Sequence, residues 1–283
     1  MKTYAARTLA GGFAYPEGPR WRDGLLWFSD QHDGIVHALD HRGHRIESFA
    51  VEGGPSGIGW LPGGDMLVVS MERRTIFRRK SGKLGLHVDL SAWHSAQTND
   101  MVVDAAGRAY VGNIGFDFDN GEPAAPTMLL AVEPDGSVRQ VADDLLCPNG
   151  TVLSQDGRTL IIAESLANRL TAFDAAPDGA LSNRRVFAEM PGHVPDGICL
   201  DAEGQVWAAS PFTGSIVRVA EGGEITATVS VGDAGAFACM LGGPDRKTLF
   251  ICCAADHSRS NTVALRSGRI DIAAVDVPGA GLP

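Results

Sequence analysis

VPDGICLDAEGQVWAAS, residues 194–210, is the stretch on which the fold turns. Pro195-Asp196-Gly197 opens a short apolar run, Glu203-Gly204 reverses the chain, and a second run follows through Trp207, eleven positions after Asp196. Working outward, the same figure recurs along the chain. Glu17 and Phe28, Ser56 and Leu67, Asn99 and Tyr110, Asn149 and Leu160, and Cys239 and Phe250 stand at the same eleven-residue separation. The intervening turns are Asp23-Gly24, Gly63-Gly64, Ala106-Gly107, Asp156-Gly157 and, less regularly, Asp245-Arg246. The starts are 39, 43, 50, 47 and 43 residues apart. A repeat of this pitch, built of several short strands, indicates an all-β, six-bladed β-propeller. The 35 glycines, many at expected hairpin turns, agree with it.

The expected organisation is a single domain over residues 1–283, with blades at about 17–51, 54–90, 98–145, 148–190, 195–231 and 237–277. The segment Thr3 to Leu9 belongs to no repeat. It is expected to complete the last blade as an N-terminal strand and cover open strand edges. Blade three carries an insertion, 116–127, reading FDFDNGEPAAPT, a candidate lid or pocket wall.

Composition narrows the partners. Net charge is 24 − 34 = −10, which repels phosphate backbones and argues against nucleic acid. No apolar run approaches a membrane span, and the first residues lack the apolar core of a signal peptide. Five cysteines without zinc-type spacing argue against a disulfide framework, so a cytoplasmic location is expected.

The six repeat starts should occupy equivalent places around the central channel. Four of them, Glu17, Asn99, Asn149 and Asp196, can offer oxygen to a hard metal ion. Pro16-Glu17-Gly18, Pro148-Asn149-Gly150 and Pro195-Asp196-Gly197 share one pattern, and Thr98-Asn99-Asp100 departs from it by an aspartate. Pro-Asp-Gly and Pro-Asn-Gly are also turn formers. The turns of each repeat lie downstream, however, so these residues begin the strand nearest the axis. Two carboxylates and two amides converging there call for a cation or ordered water. Oxygen donors without His or Cys suit one divalent ion: calcium, magnesium or manganese, with zinc possible. Ser56 is read as a channel-lining hydroxyl. Cys239, at the sixth equivalent position, is read as a small buried packing residue.

At these motifs the chain resembles the senescence marker protein/gluconolactonase/luciferin-regenerating-enzyme family over nearly its whole length. The resemblance implies a metal-centred six-bladed propeller that hydrolyses lactones, with Glu17, Asn149 and Asp196 as metal ligands. It also implies that Asn99 positions substrate or water and that Asp196 doubles as the acid/base group. Sugar-lactonase relatives usually carry arginine two residues before the third-blade asparagine, where this chain has Gln97. An uncharged amide lacks arginine's planar cationic fork. Together with Phe116 and Phe118, this points to a substrate less polar than a sugar lactone. His193 is expected at the pocket mouth as a further substrate contact, and His32 and His257, which follow the inner strands of blades one and six, are similar candidates.

The expected function is thus a metal-dependent lactonase, a carboxylic ester hydrolase opening a lactone or ester-like small molecule by metal-activated water. No Gly-x-Ser-x-Gly elbow is present. A monomer or small homo-oligomer is expected. The alternatives are a phosphotriesterase-like or other metal-dependent reaction at the same site, or a non-enzymatic scaffold with a structural ion.

Overall fold

The computed structural model describes residues 1–118 and 120–280. Six sheets, each with an antiparallel four-stranded core, follow one another around an axis. In blade one, Pro16–Arg22 is innermost, followed outward by Leu25–Asp30, Ile35–Leu39 and Arg45–Ala50. Blades two, three and four repeat this with inner strands Pro55–Trp60, Thr98–Val103 and Pro148–Leu153. Blade five begins at Ile198–Leu200 and blade six at Gly235–Gly242.

The core is not one mass but six apolar layers, one between each pair of neighbouring blades. The large residue that ends each eleven-residue interval sits in these layers. Phe28, Leu67, Tyr110, Leu160, Trp207 and Phe250 are all at most 1% exposed. Each such burial contributes about 1.5–3 kcal/mol, so the repeat marks the residues that glue blade to blade.

The ring closes through its N-terminus, shifted along the chain from the expected segment. Arg7–Phe13, and not Thr3 to Leu9, pairs antiparallel with Gly268–Ala274 and completes blade six. Lys2–Ala5 instead runs parallel to Ile225–Ser230 as a fifth strand of blade five. Side chains explain the division. Tyr4 packs against Trp207 of blade five, with ring centroids 6.0 Å apart. Phe13 meets Phe28 of blade one edge-on at 5.0 Å. The two anchors pull the segment onto different blades.

One irregularity positions the site. In blades one to four the inner strand slips register just after its start: between Glu17 and Arg20, Pro55 and Ile58, Thr98 and Met101, and Pro148 and Thr151. The residues left out of the ladder include Ser56, Asn99 and Asn149, and Glu17 is the last paired residue before the slip. A bulge frees a side chain from strict alternation and turns these toward the axis. In blade six the slip falls between Ala236 and Ala238. The sixth equivalent residue is therefore Phe237, and the assignment of Cys239 to that position is corrected. The blade-six hairpin is longer, pairing Cys239 with Ile251, so an eleven-residue count overshoots by two. Cys239 lies buried between blades five and six, its Sγ 3.7 Å from that of Cys199.

Candidate active site at the channel mouth

Around the axis the inner strands approach one another too closely for side chains. Gly150 N–H donates to the Asp196 carbonyl at 3.2 Å, and Gly197 N–H to the Phe237 carbonyl at 2.8 Å. A Cβ on Gly150 would lie 2.4 Å from the Ile198 amide nitrogen, and one on Gly197 2.3 Å from the Ala238 Cβ. The glycine of the Pro-x-Gly motif thus serves blade-to-blade approach, not a turn.

This ring of strand starts floors a cavity of about 240 Å³. Glu17, Asn99, Asn149 and Asp196 line it, under walls that include Tyr15, Phe116, Phe118, Phe212 and Phe237. Phe116 is buried, whereas Phe118 and Phe212 are 56% and 74% exposed and form an apolar rim with His257. Asp119, part of the same insertion, lies outside the described residues.

The polar groups are tightly connected. The Asn149 amide donates to Asp196 Oδ1 and to Ser165 Oγ, which in turn donates to the Pro195 carbonyl at 2.7 Å. Glu17 Oε2 accepts from the Gly18 amide at 2.8 Å. Gln31 donates to Ser56 Oγ at 3.2 Å, and Ser56 to Asn99 Oδ1 at 3.5 Å. That pairing assigns Asn99 its orientation, with Nδ2–H left for the cavity. Just below, buried Arg20 pairs with Asp100 at 3.0 Å and donates to the Met101 carbonyl at 2.6 Å.

The charge balance has a plain consequence. Glu17, Asp100 and Asp196 carry three negative charges against one guanidinium, leaving two. Burial, then repulsion from Asp196, pushes the Glu17 carboxyl well above its usual range. Burial, then the Asp100 charge, pushes Asp196 up to about 8. Two buried carboxylates held near each other without a neutralising group of their own fit a divalent ion. Among the described residues no three His, Cys, Asp or Glu side chains form a metal-binding group. The donors here are two carboxylates and two amides, an all-oxygen set suited to a hard ion.

The remaining sequence-predicted residues are placed elsewhere. Gln97 does not line the cavity; it borders an adjoining groove that shares Phe116 and Phe118. His193 is also outside the lining. Its Nδ1 is 3.1 Å from Ser210 Oγ, Asn168 donates to its carbonyl at 2.5 Å, and burial lowers its pKa. The ring is folded onto blade five, so the expected contact at the mouth is corrected. His32 stacks on Tyr15 at 4.5 Å behind the wall, while His257 is at the rim. Tyr15, Gln31, Ser165, Phe212 and Phe237 escaped the sequence reading. Tyr15 and Ser165 adjoin the motif residues in sequence or in the next strand end, a signal that was available. Cys147 also borders the cavity, but burial and the Asp196 charge push its thiol up to about 12, so it stays protonated and is no nucleophile.

A propeller whose axis ends in an acidic, oxygen-lined cavity under an apolar rim defines the class of protein. Residues 15–255 match the family described as the SMP-30/Gluconolactonase/LRE-like region, and the chain belongs to that family. It is 32% identical to regucalcin of Oryctolagus cuniculus over 169 residues, 56% of this chain and 54% of that protein. The chain thus spans about half the length of this relative. Among solved structures, a luciferin-regenerating enzyme superposes with a TM-score of 0.83 at 21% identity, covering 99% of both chains. Regucalcin of Agrobacterium tumefaciens, described as a calcium-binding protein, superposes at 0.82 and 22%, covering 99% and 97%. At these identities the two structures establish the fold. No helix among the described residues is long and apolar enough to cross a membrane.

Proposed function

We propose that this protein is a divalent-metal-dependent hydrolase that opens a lactone ring less polar than a sugar lactone. The observation that carries the proposal is the convergence of Glu17, Asn149, Asp196 and Asn99 on one apolar-rimmed cavity. Family membership supports a lactonase-type activity, and a calcium-binding neighbour supports a divalent ion.

Glu17, Asn149 and Asp196 would hold the ion. When bound, it supplies Lewis acidity toward the ester carbonyl and makes water more acidic. The chain's own groups do the rest. Asp196 takes a proton from the attacking water and returns it to the ring oxygen as the acyl C–O bond breaks, giving a hydroxy acid. Asn99 donates Nδ2–H to the carbonyl or ring oxygen, its amide set by Ser56 and Gln31. Tyr15, kept protonated by burial and by the charges of Glu17 and Asp196, borders the same space as a second donor. Phe116, Phe118, Phe212 and Phe237 exclude bulk water and favour apolar substituents.

The test is hydrolysis of γ- and δ-lactones by chelator-stripped protein, each metal added back in turn and proton release followed. Metal-restored turnover, best on alkyl- or aryl-substituted rings, is the expected result. No turnover despite stoichiometric metal binding would overturn the lactonase reading.

A further inference from the structure

A second groove adjoins the cavity. Phe116 and Phe118, which wall the central cavity, also border a groove of about 340 Å³ between blades two and three. Its polar members include Arg74, Ser95 and Gln97, together with Glu72 and Asp117. Both acids are engaged: Glu72 pairs with Arg259, and Asp117 accepts from the backbone and side chain of Asn120 at 3.1 and 2.7 Å.

Arg74 differs. It sits at the turn between Met66–Ser70 and Thr75–Lys80, with a left-handed φ of 54°, and its carbonyl accepts from Leu90 at 2.8 Å. One guanidinium nitrogen donates to the carbonyls of His94 and Ser95 at 3.0 and 3.4 Å. Among the described residues it forms no ion pair with a carboxylate, unlike Arg73, Arg78 and Arg79 beside it. It is half-buried and lines a groove that shares Phe116 and Phe118 with the central cavity. The hydrogen-bond partners of this guanidinium are neutral carbonyls, and the charge of Asp89 acts on it without forming an ion pair; an anion in the groove would complete it, and the planar fork suits a carboxylate.

We propose that this groove is a second substrate arm. The substrate is a lactone whose apolar segment crosses Phe116 and Phe118 and ends in a carboxylate held by Arg74, with the Gln97 amide beside it. This rests on the hydrolase reading above. It also accounts for a neutral residue at position 97: Arg74 already provides the cation of this groove.

The experiment compares γ-(4-carboxyphenyl)-γ-butyrolactone with its methyl ester on metal-loaded wild type, Arg74→Met and Arg74→Lys, with ring opening followed by chromatography. Wild type should prefer the acid. Arg74→Met should reduce the acid-to-ester ratio of kcat/KM about ten- to a hundredfold, the scale of a charge-assisted hydrogen bond. The loss should fall on KM, and Arg74→Lys should recover part of it. A purely packing role would slow both substrates alike, and an unchanged ratio would overturn the proposal. Binding of 4-phenylbutyrate, measured by saturation-transfer NMR, separates the two readings. If neither lactone is opened, the hydrolase reading falls, and the arm stands only if Arg74→Met weakens this binding about tenfold or more. Equal binding to wild type and variant would remove the arm as well.

Discussion

Gly150→Ala tests whether blade spacing sets the geometry of the site. The new Cβ would meet the Ile198 nitrogen at 2.4 Å, the Asp196 oxygen at 2.6 Å and the Gly197 Cα at 2.7 Å. All three are backbone, so no side chain can swing aside. Ordinary contact begins near 3.4 Å, and the start of the blade-five inner strand must retreat by about 1 Å. Overpacking of this kind costs about 1–3 kcal/mol, or a Tm lowered by about 5 °C at this chain length. The displaced segment carries Asp196, and a misplacement of about 1 Å can cost about a hundredfold in activity. Differential scanning calorimetry and lactone kinetics would measure both effects, and calcium titration would show whether the displaced Asp196 still binds the ion. Gly85→Ala is the control, because nothing lies within 4 Å of its Cβ and its φ is not left-handed. A Gly150→Ala protein with wild-type Tm and wild-type calcium affinity would refute the reasoning.

Asp196→Asn should remove about 10²–10⁴-fold of turnover while the chain still folds, checked by lactone kinetics beside circular dichroism. Glu17→Gln should weaken calcium binding about tenfold or more, read by calorimetry, since one of the two unneutralised charges is lost. Arg20→Met leaves Asp100 buried without its cation and should cost about 3–5 kcal/mol in urea unfolding, partly recovered by adding Asp100→Asn. His94 is buried, and burial lowers its pKa from 6.5 to about 4. The unfolded chain therefore binds the extra proton first. The stability this residue contributes is complete above about pH 6.5 and is lost as pH falls toward 4. Between pH 7 and pH 5 the loss is about 2 kcal/mol, and denaturation curves for His94→Gln should show that much less acid sensitivity.

The legible part of the molecule was the part repeated along the chain. Six eleven-residue intervals announced six blades because each blade must bury one large residue, such as Trp207 or Phe250, against its neighbour. Pro-x-Gly in register marked Glu17, Asn149 and Asp196 because every inner strand approaches the same axis. Where a blade departs from the repeat, counting failed. Blade six lengthens its hairpin and bulges at Phe237, and so the wall residue was mistaken for Cys239. The N-terminal strand was expected a few residues early because its pairing depends on what Tyr4 and Phe13 find to pack against, not on the segment's own pattern.

Residues that act through neighbours from other blades were out of reach. His193 stands three positions from Asp196, yet a hydrogen bond to Ser210 turns it away from the cavity. Arg74 stands beside Arg73 and close to Arg78 and Arg79 with nothing in the local pattern to set it apart, yet the ring brings it to the groove beside Phe116 and Phe118. By itself the sequence determined the blade number and the polar residues that open the inner strands beside the axis, because these follow from local periodicity and residue chemistry. Tertiary structure alone decided which charges are left unpaired, which rings wall the cavity and which groove adjoins it, because those depend on distances between blades that no local pattern encodes.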